Sequence, residues 1–556
     1  MLLKMFSRYF PLNFLLRCKA AGFVEETFNF SIGNKKFSLL TILILISIIY
    51  FLPGLFSPRD FWIEDEARYA EIVREMMSER EWVIPHLNGH YYPDKPPLYF
   101  WLVILSSTVF GTISPFTFLF VTFLSSIGCI ISAYYMGKFL FDSLSGFLAS
   151  IVLTSSFLFI ISTQIARMDM LFTLFIMLAV FSFYYAYKKK NATYYVVFYV
   201  LCGLSVFSKG PLGFLFSFLP PVLFFIYKKE YRELKKMILN RGFIIMLLLL
   251  SSWVSLVILT GHYDYIKIII VEQILGRAVN SFIHKEPIYY YLLVFPFVFY
   301  PWIPFVPRSL FHLYSLDKDT LAFLLVWFIS GFIVISIISG KLFIYLLPLF
   351  PPVALIVGKF FADIIRRSDQ YGYDMRVEGT ISCILFALML IIFPFALNRF
   401  FPEEISFFMP LLIAFIPVLV LAFIFTMKRN LRYFLVLTVS AMFLFSSFSF
   451  GYAASRIDNY FSSRILSQKI TELSEKGFEV TSLNVTRGIL NFYADIYIKE
   501  MTYEKLKTLL SSREKVLCVI KEHELKRITK DISQQIHVVG EYDLSFEKYL
   551  LITNSP

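Results

Sequence analysis

The stretch from Asp65 to Trp101, DEARYAEIVREMMSEREWVIPHLNGHYYPDKPPLYFW, holds the residue types that chemistry on a phosphate requires. Asp65 and Arg68 lie one helical turn apart, Tyr69 follows them, and Tyr92 and Lys95 stand just before a proline pair. A carboxylate can orient or deprotonate an attacking group, while cations stabilise a bound or departing phosphate. The same types recur far along the chain: Asp169 in QIARMD, Lys209 in SKGPLG, Glu272, Arg277 and His284 in one polar loop, then Lys341 and Tyr345. No nucleotide-binding motif occurs, which directs the reading toward a lipid phosphate and away from a nucleoside diphosphate.

Each of these residues has a plainer reading. Glu66 reads first as an acid at a helix N-terminus. Asp169 has Arg167 beside it for a local pair, and Lys95 fits a solvated turn. Lys209 is hardest to set aside, because an unpaired ammonium in a tight turn between apolar helices is costly near lipid. His284 and Glu272 lack the His spacing of a metal site, so the sequence permits a divalent metal without requiring one.

The elements that must position these groups are membrane spans. Of 556 residues, 58% are hydrophobic and 17% charged, with a mean hydropathy of +0.68. Apolar runs of about 20 residues recur, the length a helix needs to cross a hydrocarbon core about 30 Å thick. The chain is therefore expected to be an all-α polytopic membrane protein. Its net charge of +12 comes from short Lys/Arg clusters between apolar runs, with no basic face carrying interleaved aromatics, which excludes nucleic acid as a partner. Cys18, Cys129, Cys202, Cys383 and Cys518 show no CxxC spacing and read as small apolar residues.

Lys4, Arg8, Arg17, Lys19, Lys35 and Lys36 precede the first span, at 38 to 56, and place residues 1 to 37 in the cytoplasm. The first outer segment, 57 to 115, then holds the polar stretch. Its apolar run from 97 to 110 is about fourteen residues, short for a span, so it and the helix beginning at Glu66 are expected to lie along the outer membrane face. Further spans are expected at 116 to 137, 144 to 163, 170 to 187, 193 to 208, 211 to 227, 242 to 260, 289 to 309, 320 to 338, 342 to 361, 380 to 397, 408 to 427 and 432 to 452. That arrangement puts the basic turns at Lys188 to Lys190, Lys228 to Lys236, Arg366 with Arg367, and Lys428 to Arg432 on the N-terminal side. Counting 97 to 110 as a crossing would invert them all. About thirteen spans result, covering 38 to 454. Residues 455 to 556 form a small outer α/β domain with a helix over 465 to 473, strands at 479 to 485 and 516 to 520, and a helix over 503 to 510.

The motifs D-E-A-R-Y-A-E-I-V-R-E-M, W-x-x-P-x-L-N-G and Y-x-D-K-P-P-L-Y-x-W, followed in order by RMD, SKGPLG, E-x-x-x-x-R with a later H-x-x-P, and K-x-x-x-Y-x-x-P-x-x-P, resemble the membrane glycosyltransferases of the GT-C class. The resemblance is to those related to protein O-mannosyltransferases and, within them, to the aminoarabinose transferases that modify lipid A. It implies a sugar donor of the undecaprenyl-phosphate type, displaced with inversion, and a lipid A acceptor at the periplasmic face of a bacterial inner membrane. It implies Asp65 as the principal catalytic carboxylate and Asp169 as a second acid. Arg68, Lys95, Lys209 and Arg277 would contact the lipid phosphate, and Glu66, Tyr69, Tyr92, Lys341 and Tyr345 would line the cavity. The chain is expected to act as a monomer without a certain cofactor.

Two rivals remain. Transfer of the same donor sugar to protein would need a peptide groove. A lipid-phosphate carrier would place polar groups at mid-membrane and often carries inverted repeats, whereas these polar residues gather toward one face. Asp65→Asn, inserted normally in the membrane, is expected to abolish sugar transfer; undiminished turnover would contradict the catalytic assignment.

Overall fold

A computed structural model describes residues 30–32, 35–269, 286–338, 340–366, 374–512, 514–531 and 536–555. Arg277, Glu272, His284, Arg367, Cys18 and the basic residues Lys4, Arg8, Arg17 and Lys19 lie outside the described residues.

A short hairpin, β1 (Phe30–Ile32) with β2 (Lys35–Phe37), precedes the apolar helix α1 (Leu39–Leu55), whose N-terminus is capped by the Ser38 hydroxyl. The polar stretch folds as α2 (Asp65–Ser78), a two-residue-strand hairpin β3 (His86–Leu87) and β4 (His90–Tyr91), and α3 (Leu98–Phe110), which ends where Gly111 takes a left-handed conformation. The helices that follow are α4 (Pro115–Leu140), α5 (Ser143–Thr154), α6 (Phe157–Thr163), α7 (Asp169–Lys189), α8 (Thr193–Lys209), α9 (Leu212–Lys228), α10 (Tyr231–Ile238), α11 (Arg241–Leu259), α12 (Tyr263–Ile268), α13 (Tyr290–Val298), α14 (Val306–Leu316), α15 (Lys318–Ile337), α16 (Phe350–Arg366), α17 (Arg376–Phe400), α18 (Ile405–Met427) and α19 (Leu431–Ser446).

The protein is a multi-span membrane protein. Among the described residues, eight helices are long and apolar enough to cross a membrane, and two bent helix pairs pass the same test together. The bends correct two of the expected straight spans. The run 144 to 163 is α5 and α6 meeting at 70°, where the hydroxyls of Ser155 and Ser156 bond back to the carbonyls of Ile151 and Val152 at 2.6 Å. The run 289 to 309 is α13 followed by Ile303–Leu316 at 108°, broken at Pro301, which has no N–H to continue a helix. Ser155 Oγ accepts from Trp302 Nε1 at 3.1 Å, so the two bends pack on each other.

The helix α2 is more enclosed than its sequence alone indicates. It is covered on more than the apolar side that its periodicity shows, burying nine of its 14 residues, among them Tyr69, Ile72, Val73 and Met76. The extra cover is the C-terminal domain. After α20 (Ala454–Phe461), that domain comprises α21 (Arg464–Glu475), β5 (Glu479–Leu483), α22 (Asn491–Ala494), β6 (Lys499–Glu500), α23 (Tyr503–Leu510), β7 (Val516–Lys521), α24 (Glu522–Asp531), β8 (His537–Leu544) and β9 (Glu547–Thr553). Its sheet runs β6-β5-β7-β9-β8, with β6, β5 and β7 parallel and β9 and β8 antiparallel. Phe492 and Tyr493 pack into the same apolar cluster as Phe61, Tyr69 and Tyr99, and the Tyr493 hydroxyl accepts from Phe61 N at 2.7 Å.

This cover buries Glu75, whose carboxylate accepts the N–H groups of Asn88 at 2.5 Å and Gly89 at 3.1 Å. Burial pushes Glu75 up to about 7, the two N–H donors oppose the rise, and the neighbouring Glu71 adds to it. A carboxyl raised in the folded state stabilises it fully below the ordinary glutamate range, and that contribution is lost as pH rises through the folded value. The apparent melting temperature of the purified protein is therefore expected to fall between about pH 5 and about pH 8, with a shallower slope in Glu75→Gln; identical slopes would contradict the assignment.

Candidate active site

Five side chains form one unbranched chain of ion pairs, in the order Arg68, Asp65, Arg167, Asp169, Lys209. Asp65 opens α2 and Asp169 opens α7, where the unpaired N–H groups of a helix start favour anions; Lys209 closes α8, where the carbonyls favour a cation. Arg68 reaches Asp65 from one turn along the same helix face. Arg167 supplies the joint: its Nη1 lies 2.5 Å from one oxygen of Asp65 and its Nε donates to Asp169 at 3.0 Å. The Lys209 ammonium meets Asp169 and sits 4.5 Å from the ring centre of Tyr345 and 5.2 Å from that of Phe172.

The chain is closed at one end and open at the other. The Asp169 and Lys209 side chains are 3% and 6% exposed, whereas Asp65, Arg68 and Arg167 are 19%, 21% and 21% exposed. Among the described residues, the buried Nε of Arg68 has no hydrogen-bond partner, leaving a donor for an anion. Burial opposes ionisation of Asp65, but Arg167, Arg68 and Lys95 outweigh it and hold the carboxyl well below the usual carboxylate range. These partners favour the charged form of Asp65 and lower its basicity, and the cations outnumber the carboxylates around it.

A second network fixes this one to the bundle. Glu66 accepts from Arg59 Nη1 at 2.6 Å and Nη2 at 2.9 Å, from Trp62 N at 3.0 Å and from Ala166 N at 2.6 Å. It thereby ties the start of α2 to the loop that carries Arg167. Arg59 in turn lies 4.5 Å over the Trp62 ring, and the indole N–H donates to Asp458 at 2.6 Å.

Several expected roles change. Glu66 neither lines a cavity nor simply caps a helix; its four hydrogen bonds make it a buried staple. Lys209, expected on the donor phosphate, pairs with Asp169 behind the open end. Lys341 is buried and donates to the carbonyls of Glu286 at 3.0 Å and Ile338 at 2.6 Å, pinning backbone instead of facing a cavity. Tyr69 is buried between the rings of Tyr99 and Phe100, with centroids 6.0 and 5.6 Å away. Tyr92 packs edge-on against Phe100, and Tyr345 receives the Lys209 ammonium on its face. Asp65, Arg68 and Asp169 come together as expected, and Lys95 is close enough to act on the Asp65 charge. Arg167 and Arg59 were missed. Arg167 stood in the RMD triplet as a local partner of Asp169, and its reach to a loop a hundred residues away has no local signal.

Residues 94–255 match the dolichyl-phosphate-mannose-protein mannosyltransferase family. The chain is 28% identical over 349 residues to an undecaprenyl phosphate-α-4-amino-4-deoxy-L-arabinose arabinosyl transferase of Yersinia enterocolitica, covering 61% of this chain and 62% of that one. A Proteus mirabilis protein of the same description is 27% identical, covering 65% and 66%. The chain thus spans just under two thirds of the length of these relatives. The crystal structure of ArnT from Cupriavidus metallidurans bound to undecaprenyl phosphate superimposes with a TM-score of 0.76 at 15% identity, over 93% of this chain and 98% of that one. The chain shares the fold of that crystal structure. At the open end of the ion-pair chain, cations and an ionised carboxylate stand together.

Arg167→Ala is expected to lower kcat/KM by about 100-fold or more. Arg167→Lys should not restore it, since an ammonium cannot bridge two carboxylates with the guanidinium's fork. With the depressing charge gone, the Asp65 carboxyl rises, so the acid limb of the activity profile should move to higher pH. An unmoved acid limb in Arg167→Ala would contradict this electrostatic account.

Proposed function

We propose that this enzyme transfers 4-amino-4-deoxy-L-arabinose from undecaprenyl phosphate to a phosphate of lipid A. In the proposed reaction an oxygen of the acceptor phosphate attacks the anomeric carbon as the bond from that carbon to the donor phosphate oxygen breaks. Configuration inverts, and undecaprenyl phosphate leaves carrying the extra negative charge. Arg68 and Lys95, with Arg167 behind them, would take up that charge. Asp65 would orient the acceptor and stabilise positive charge developing on the sugar ring, and Asp169 would hold Arg167 and Lys209 in place. Arg277 remains a proposed phosphate contact from the sequence alone.

One observation carries the choice of acceptor. Asp65 is paired with both Arg68 and Arg167, which lowers its basicity, whereas a phosphate acceptor is already ionised and needs no base. That favours lipid A over a protein hydroxyl, and the descriptions of the Yersinia and Proteus relatives support the same sugar and donor. The proposal includes a monomer in the bacterial inner membrane, with residues 1–37 in the cytoplasm, a catalytic membrane domain over 38–454, and a periplasmic domain over 455–556. It also puts the ion-pair chain on the periplasmic side.

Mass spectrometry of lipid A from cells with and without the protein tests the reading. Aminoarabinose on a lipid A phosphate should depend on the intact gene. Unchanged lipid A, with label from a radioactive donor following protein instead, would replace this reading by protein glycosylation.

A further inference from the structure

The Asn-Gly turn of W-x-x-P-x-L-N-G takes no part in the ion-pair chain. Asn88 and Gly89 have φ of 57° and 71°, the left-handed pair that a two-residue hairpin turn needs and that Asn and Gly tolerate. The turn's backbone N–H groups go to Glu75 on α2. Its side-chain amide goes wholly to the C-terminal domain. Nδ2 of Asn88 donates to the carbonyl of Ile498 at 2.7 Å, and Oδ1 accepts from Ile498 N at 2.9 Å and from Nδ2 of Asn491 at 2.7 Å. The amide thus pairs with both backbone groups of one residue, as an adjacent strand would, and both asparagines are buried.

The surrounding contact is equally close. Gly488 has φ of 82°, and a Cβ there would come 2.3 Å from Leu87 Cδ1, so this approach of the domain to the hairpin is built on a glycine. Arg74 bridges Glu71 on its own helix to Asp495 of the domain, and the Tyr497 hydroxyl donates to Glu79 at 2.6 Å. On its other side the hairpin rests on the bundle, with Tyr91 Oη 2.8 Å from His262 Nδ1 and the Tyr265 hydroxyl donating to the Tyr92 carbonyl at 3.3 Å.

The two walls of the site are joined to each other through Glu75, and each has further anchors of its own. The wall formed by α2, with Asp65 and Arg68, is held by Glu66 to Arg59 and Ala166. The wall formed by the hairpin leads through Tyr92, whose N–H donates to the Pro85 carbonyl at 2.8 Å, to Lys95. We infer that the C-terminal domain is a positioning element for the donor-phosphate wall, and that Asn88 and Asn491 are the positioning residues through which it acts on Lys95. This rests on the reading of Lys95 as a donor-phosphate contact.

The test uses the full chain in nanodiscs, comparing Asn88→Ala and Asn491→Ala with the unaltered protein, each with and without Lys95→Ala. Hydrogen exchange should rise across 86–95 in both asparagine variants while 65–73 stays protected. The donor KM should rise about five- to tenfold with kcat nearly unchanged, and the rise should vanish in the Lys95→Ala background, because residues acting through one another are not additive. Asn491→Ala keeps the experiment decisive if Asn88→Ala disturbs the turn itself. A lower melting temperature or kcat with unchanged KM would make the contact merely structural and overturn the proposal, as would KM losses that add to that of Lys95→Ala. The exchange arm is read without turnover, so unchanged exchange at 86–95 overturns the positioning claim by itself. Lack of sugar transfer in the unaltered protein overturns only the functional reading beneath it.

Discussion

The structure turns on the guanidinium of Arg167 lying between two carboxylates that belong to different loops. Placing five ionised groups at the edge of an apolar bundle costs solvation that only well-made pairs offset. Arg167 makes that arrangement tenable, because each carboxylate has a cation on both sides and no charge in the chain stands alone. The same bridge sets the chemistry. A lone aspartate in such a place would rise and lose its charge, whereas Asp65 keeps its charge and loses its basicity. A centre of this kind offers cations and an ionised carboxylate side by side, with the carboxylate's basicity lowered by its two guanidinium partners.

The adjacent acids Asp65 and Glu66 divide the work by helical geometry. Neighbouring residues on a helix point about 100° apart, so Asp65 faces the open ion pairs while Glu66 turns inward to Arg59 and the backbone of Ala166. Glu66 thereby holds together the two loops that Arg167 also joins. The pair Arg59 and Glu66 is almost fully buried, and it is sustained by hydrogen bonds on every available oxygen, the condition under which a buried pair is tolerated. The C-terminal domain completes the enclosure, covering the face of α2 that would otherwise be wet and gripping the hairpin beside it.

Much of this was legible in the chain. Apolar run length and basic turns placed most helices to within a few residues, and period and β-branched composition placed α21, α23, β5 and β7. The bends at Ser155 and Pro301 were not legible, since a continuous apolar run looks alike whether the helix is straight or folded back, and helix backbonding by serine leaves no hydropathy trace. The hairpin of β8 and β9 was missed because β8, as an edge strand, alternates weakly with exposed residues. At the site, Asp65, Arg68 and Asp169 stood out because charge is rare in this composition. Which cation pairs with which acid depends on loops a hundred residues apart, so the RMD triplet shows Arg167 only as a local partner of Asp169, the pairing of Lys209 with Asp169 has no local signal, and Glu66 looks like an acid at a helix start.

The central claim is that Asp65 stays ionised because of the cations around it. Isotope-edited infrared spectroscopy of the enzyme, with labelled aspartate and the Asp65→Asn variant used to assign the bands, measures that state directly. The account predicts that the Asp65 signal remains that of a carboxylate down to mildly acid pH, well below the range where exposed aspartates begin to protonate. A protonated carboxyl band assigned to Asp65 near neutral pH would contradict it.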